Sequence, residues 1–154
     1  MISRRHFILA AGASALATVP VRAGISNADT RKTLAHAVET FFRSWHSGNW
    51  DPFLSLLTPE FTFQFPTGPQ RGRHVGAEGR RRIEEWARAH TREGNRITAS
   101  APDLRLYDGD WVVVCDRGSG EFGGQRYTGL HAIFMRAEGD RIAEFREYFG
   151  ELPQ

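Results

Sequence analysis

The residue pattern predicts an α+β fold in which helices come first and an antiparallel meander follows. Two observations carry that prediction. The first half of the chain repeats apolar residues at helical spacing, and the second half alternates them between tight glycine-containing turns.

From Asp29 to Ser47, Leu34, Val38, Phe41 and Trp45 recur at i, i+4, i+7 and i+11, and Phe42 widens the stripe. This spacing predicts a first helix, ended by Gly48-Asn49. Asp51-Pro52 predicts an N-cap followed by proline in the first turn. It opens a short helix through Phe53, Leu54, Leu56 and Leu57, stopped by Thr58-Pro59. Phe61, Phe63 and Phe65 alternate with Thr62 and Gln64, the period of a half-buried strand. Pro66 to Pro69 ends that strand, and Gln70 to His74 reads as a polar loop. Gly76 to His90 predicts a third helix, with Ile83, Trp86 and Ala87 inward. Arg80/Glu84 and Arg81/Glu85 pair on its outer side.

Ile97 to Tyr107 reads as extended, with a break at Pro102, and Asp108-Gly109 as a hairpin turn. Trp111 to Arg117 is the next strand, Gly118 to Gly124 a glycine-rich connection, and Gln125 to Met135 a long strand. Glu138-Gly139-Asp140 turns the chain into the last strand, Arg141 to Phe149.

The N-terminus reads differently. Arg4-Arg5 precede an apolar stretch of 13 residues, Phe7 to Val19, and Val21-Arg22-Ala23 is a small-residue cleavage pattern before Gly24. That order is the order of a secretory signal, and the apolar run is shorter than the roughly 20 residues a membrane span needs. The arginine pair resembles the twin-arginine (Tat) signal, which implies export to the periplasm or outside the cell. Residues 1–23 remove Arg4, Arg5 and Arg22 from the 20 basic side chains and none of the 18 acidic ones. The formal charge then falls from +2 to −1. The basic face that a nucleic-acid binder needs is therefore not expected, nor any membrane association once the signal is removed.

The single cysteine, Cys115, lies in the apolar run Trp111 to Cys115 and reads as a buried structural thiol; it allows no intramolecular disulfide. The six histidines show no metal-ligand spacing, so neither metal nor cofactor is expected. Gly118-x-Gly120-x-x-Gly123-Gly124 reads as a turn, because no helix follows to receive a phosphate. Two ionisable groups stand out within apolar strands. Glu147 shares a strand face with Phe145 and Phe149 by period two, so burial there should raise its pKa and suit it to acid/base work. A structural ion pair with an arginine such as Arg117 is the competing reading. His131 lies within Gly129 to Phe134, and the turn length at Glu138–Asp140 decides whether it shares a face with Glu147.

Ser44-Trp45-His46-Ser47-Gly48-Asn49-Trp50 and the ending Gly139 to Phe149 resemble the SnoaL-like superfamily. The resemblance spans about Asp29 to Glu151, and residues 24–154 are assigned to that domain. It implies the nuclear transport factor 2-like cone shared with ketosteroid isomerases, limonene epoxide hydrolases and scytalone dehydratases. In that fold a curved antiparallel sheet wraps around helices and encloses an apolar pocket, often in a dimer formed through the sheet. Laid over ketosteroid isomerase, the catalytic base falls on Phe65 and the oxyanion-hole tyrosine on Phe41. The second oxyanion-hole acid falls near His131 or Ala132. Phenylalanine neither takes a proton nor donates a hydrogen bond, which argues against steroid isomerisation by that route. The epoxide hydrolase arginine/aspartate network has only loose analogues in Asp116 and Arg117.

The resemblance implies a small apolar or polycyclic ligand, held by Phe41, Trp45, Phe65, Trp86, Phe145 and Phe149. Glu147 and His131 are the expected proton-transfer pair for a cofactor-free isomerisation, dehydration, cyclisation or hydrolysis. A non-catalytic carrier, or an interaction module with a filled cone, stays open as an alternative.

Overall fold

The structure is a computed structural model, and it describes residues 27–152. The export signal and its cleavage point lie outside the described residues. Three helices, α1 (Asn27–Ser47), α2 (Asp51–Leu54) and α3 (Ala77–Arg92), accompany six strands. These are β1 (Leu57–Phe65), β2 (Gly72–His74), β3 (Arg96–Asp108), β4 (Trp111–Phe122), β5 (Gln125–Glu138) and β6 (Arg141–Glu151). They form one curved sheet in the order β2-β1-β6-β5-β4-β3. Every neighbouring pair is antiparallel except β1 with β6, which run parallel.

The apolar stripe of α1 is buried against the concave face through Leu34, Val38, Phe41 and Trp45. The α3 stripe follows with Ile83, Trp86 and Ala87. Facing them from the sheet are Phe61, Phe63, Val112, Val114, Met135 and Phe145, all essentially without exposed surface. Edge-to-face contacts join the layers, among them Phe41 to Phe53 at 5.2 Å and Trp50 to Trp86 at 4.8 Å between ring centroids. On the outer side of α3, Arg80 bonds Glu84 at 2.7 Å and Arg81 reaches Glu85.

Several boundaries differ from the sequence reading. Trp50, not Asp51, occupies the N-cap of α2, and its side chain makes no capping bond. Instead Asn49 Oδ1 accepts the Asp51 N–H at 3.1 Å. The helix stops at Leu54, and Leu57-Thr58-Pro59 enter β1, because Leu57 is buried in register with Ile142 of β6. The polar stretch after Pro69 contains β2, a short edge strand paired with Phe63 to Phe65. Gly118 to Phe122 continue β4, so the connection shrinks to Gly123-Gly124; both glycines have positive φ, as a two-residue hairpin turn requires. Cys115 is half-buried rather than buried. Its neighbour Asp116 takes the inner face, so period two turns the thiol outward, in register with exposed Leu104.

The approach of α3 to β1 depends on Gly79. A Cβ there would lie 2.1 Å from the Phe61 carbonyl oxygen and 2.6 Å from that of His74, both backbone atoms that cannot swing aside. Gly79→Ala should therefore destabilise the protein by about 2 kcal/mol, because overpacking outweighs the helix-propensity gain of about 1 kcal/mol. Chemical denaturation checks it: an unchanged or raised midpoint contradicts this packing.

Candidate active site

The turn between β5 and β6 comprises only Gly139-Asp140. The turn pairs Glu138 with Arg141 and Ala137 with Ile142. Ala143 then bulges out of β6, which moves the register by one residue and sets Ile133 opposite Glu147 and His131 opposite Phe149. Opposed residues on antiparallel strands share a face, so Glu147 and His131 both look into the concave side. On the other flank of β5, His131 is opposite Asp116. Three ionisable groups from three adjacent strands therefore meet, buried at 4%, 6% and 2% exposure for Glu147, His131 and Asp116.

Asp116 lies behind His131, and Glu147 and His131 border a cavity of about 670 Å3 at one end of the cone. Trp45, Phe65, Trp86 and Phe149 line it together with Glu147 and His131, as do Ile97, Phe122, Tyr127 and His90. Thr67, Gln70, Glu85, Arg92 and Glu93 also border it, and Thr67, Arg92 and Glu93 are exposed. Phe41 and Phe145 do not reach this wall, contrary to expectation. Both are fully buried beneath it, 5.2 Å apart between ring centroids, and serve the core.

Asp116, His131 and Tyr127 form a hydrogen-bonded chain. Asp116 Oδ1 lies 3.1 Å from His131 Nδ1, and His131 Nε2 lies 2.8 Å from the Tyr127 hydroxyl. Ser100 Oγ donates to the other oxygen of Asp116 at 2.6 Å. With its Nδ1–H directed at Asp116, neutral His131 accepts the Tyr127 proton at Nε2, and the imidazolium donates to the Tyr127 oxygen instead. Tyr127 and His131 sit four residues apart on one strand face and lean toward each other over Gly129. A Cβ on Gly129 would lie 2.1 Å from the Tyr127 hydroxyl, and one on Gly118, opposite Gly129, 2.8 Å from the His131 ring. The two paired glycines clear the space for the chain.

Glu147 has no such partners. Its Oε2 is buried without a hydrogen bond among the described residues. Burial pushes its pKa up to about 7; the charge of His131 draws it down and that of Asp116 pushes it up. For His131, burial disfavours protonation. The hydrogen bond to Asp116, then the charges of Glu147 and Asp116, outweigh that and raise its pKa. The competing ion pair with Arg117 does not form. Arg117 is exposed on the outer face, next in sequence to inward-facing Asp116, so the two also cannot build the arginine/aspartate network considered above. Among the described residues no cluster of His, Cys, Asp or Glu is arranged to hold a metal ion.

Tyr127 and His90 complete this wall and Asp116 backs it, although the sequence reading gave them no such place. Two of them carried a signal. His90 continues the α3 stripe at i+7 from Ile83, and Tyr127 repeats the period of Gly129 and His131.

A cone of helices on a curved sheet, enclosing a cavity at one end, is the architecture of a nuclear transport factor 2-like protein. Residues 38–145 match the family model of the SnoaL-like domain, and the chain belongs to that family. A nuclear transport factor 2-like protein from Anabaena variabilis is 32% identical, with a TM-score of 0.73 over 82% of this chain and 92% of that one. A candidate isomerase from Bacillus subtilis, 16% identical, superposes with a TM-score of 0.67 over 79% and 88% of the two chains. A limonene-epoxide-hydrolase-like enzyme from Mycobacterium tuberculosis, 18% identical, gives 0.57 over 77% and 84%. At these lower identities the likeness shows the fold alone. No curated protein matches the chain.

The buried carboxyl has a consequence for stability. Glu147 ionises near pH 4.5 in the unfolded chain and near pH 7 in the folded protein, so the folded state binds more protons in between. Stability should fall by roughly 3 kcal/mol as pH rises across that window. Glu147→Gln should flatten this slope and raise stability at pH 8. Urea denaturation from pH 4 to pH 8 measures it, and an equal slope in the variant contradicts the burial argument.

Proposed function

We propose that this protein is exported and binds a small apolar or polycyclic molecule in the cavity, where Glu147 moves a proton on it without a cofactor. The unpartnered Glu147 oxygen, buried at the cavity wall, carries this reading. The same strand holds a second buried carboxyl, Glu144, and it is enclosed by Arg146 at 2.7 Å, Arg136 at 3.6 Å and Arg73 at 4.0 Å. That is how a structural carboxyl is accommodated here. Glu147 faces ligand space and has no arginine.

A carboxyl that ionises near neutrality both takes and returns protons at useful rates. The simplest chemistry it supports is removal of a proton beside a carbonyl and its return at another carbon, an isomerisation. Elimination of a β-hydroxyl from the same carbanion gives dehydration. With His131 protonated and donating to the Tyr127 oxygen, the Tyr127 hydroxyl turns its own proton to the ligand and stabilises the charge that develops on oxygen. His131 is thus the partner of Glu147, acting through Tyr127.

2-Tetralone, a cavity-sized ketone, serves as probe. In deuterium oxide the protein should speed exchange of its α-protons about 100-fold over buffer, as expected for one general base. The rate should rise with pH through a midpoint near 7, where Glu147 ionises. Glu147→Gln should fall to the buffer rate while remaining folded. Exchange that survives this substitution overturns the assignment.

Export makes a separate prediction. In a bacterial host with a Tat pathway, the chain should appear in the periplasm beginning at Gly24 by mass spectrometry. Changing Arg4 and Arg5 together to Lys should keep it in the cytoplasm at full length. Equal export of that double variant would contradict a twin-arginine route.

A further inference from the structure

We propose that His90 is a fixed, neutral hydrogen-bond donor in the cavity, and that the ligand it selects is an apolar molecule bearing an acceptor oxygen, a carbonyl or ether. This rests on the cavity being a ligand site and adds the chemical class of the ligand.

The argument starts at Asn95, buried just beyond α3. Its Oδ1 accepts the backbone N–H of Gly123 at 2.8 Å. Its Nδ2 lies 2.9 Å from Glu93 Oε2 and 2.9 Å from His90 Nδ1. Turning the amide over would set an oxygen against the Glu93 carboxylate and an NH2 against the Gly123 N–H. Two independent partners therefore fix its orientation, and both amide hydrogens are committed, one of them to His90 Nδ1. Nδ1 must accept, so the neutral ring carries its hydrogen on Nε2. Among the described residues Nε2 has no partner.

Protonating His90 would place an Nδ1–H against the Asn95 NH2. Burial lowers the His90 pKa to about 4, with the Glu93 charge opposing this only partly. The other ionisable groups bordering the cavity are Glu85, Arg92, Tyr127, His131 and Glu147. Ring motion is restricted as well. Trp86 lies 4.7 Å, Trp45 4.8 Å and Phe122 5.6 Å from the imidazole between centroids, all steeply tilted to it. An aromatic wall with one fixed N–H binds an apolar skeleton and orients it by one oxygen. A neutral donor also does so without adding a charge near Glu147.

Two measurements on the full chain test this. In 15N NMR of the imidazole nitrogens, His90 should show only the Nε2–H tautomer, unchanged from pH 5 to pH 8. An Nδ1–H tautomer, or titration within that range, overturns the assignment with no ligand present. The second measurement uses 9-fluorenone and fluorene, which share a skeleton and differ in one carbonyl. Tryptophan quenching should give a fluorenone-to-fluorene affinity ratio about tenfold higher in the wild type than in His90→Phe, the worth of one hydrogen bond. The carbonyl stretch of bound fluorenone should shift to lower wavenumber only where His90 is present. His90→Gln, which keeps a donor, should retain part of the ratio and guards against a folding defect in His90→Phe. Equal ratios in wild type and His90→Phe, or no binding of either probe, overturn the inference. Glu147→Gln should leave the ratio intact, so loss of ketone exchange with the ratio preserved separates the proton-transfer reading from this one.

Discussion

Trp86 stands where the layers of this protein meet. Its indole contacts Trp45 of α1, Trp50 ahead of α2, Phe63 and Phe65 of β1, and Phe145 of β6. One face of this cluster is core, and the other is cavity wall. The cavity is therefore bounded by the aromatic packing that holds helices to sheet. A ligand resting on Trp45, Phe65 and Trp86 rests on side chains whose positions are set by the core behind them.

Strand β6 shows how environment assigns roles to identical side chains. Glu144 and Glu147 are three residues apart, hence on opposite faces, and both are buried at 4% exposure. On the outer face three guanidinium groups surround one carboxylate. On the inner face, among the described residues, no guanidinium pairs with Glu147, and burial pushes its carboxyl pKa up to about 7. The difference follows from the period of the strand and from which face α1 and α3 cover.

Much of this was legible in the sequence because it depends on periodicity. The α1 stripe, the inward set of α3, the Phe61/Phe63/Phe65 alternation and the placement of Glu147 among phenylalanines are all local patterns. Pairing across the sheet was not legible. Leu57 reads as the end of a helix until Ile142 is beside it, β2 is too short to show a period, and Gly118 and Gly120 read as loop although they sit inside a strand. The same limit hid the acid/base cluster. His131 and Glu147 stand 16 positions apart, and a one-residue bulge at Ala143, which no local pattern announces, decides whether they meet. Phe41 and Phe145 looked like pocket residues because they share a period with residues that are. Depth behind the wall depends on neighbouring rings, which periodicity does not report.

The parallel pairing of β1 with β6 joins Phe63 to Phe145 across most of the chain. Such contacts close a long loop, and their entropic cost falls on the folding rate. The first strand must wait for the last to be synthesised, so a nascent chain on the ribosome holds Trp45 and Trp86 without the strand that carries Glu147. The cavity thus comes into being only once β6 has been synthesised. Truncation before β6 leaves no partial version of it, only an uncovered aromatic surface open to aggregation.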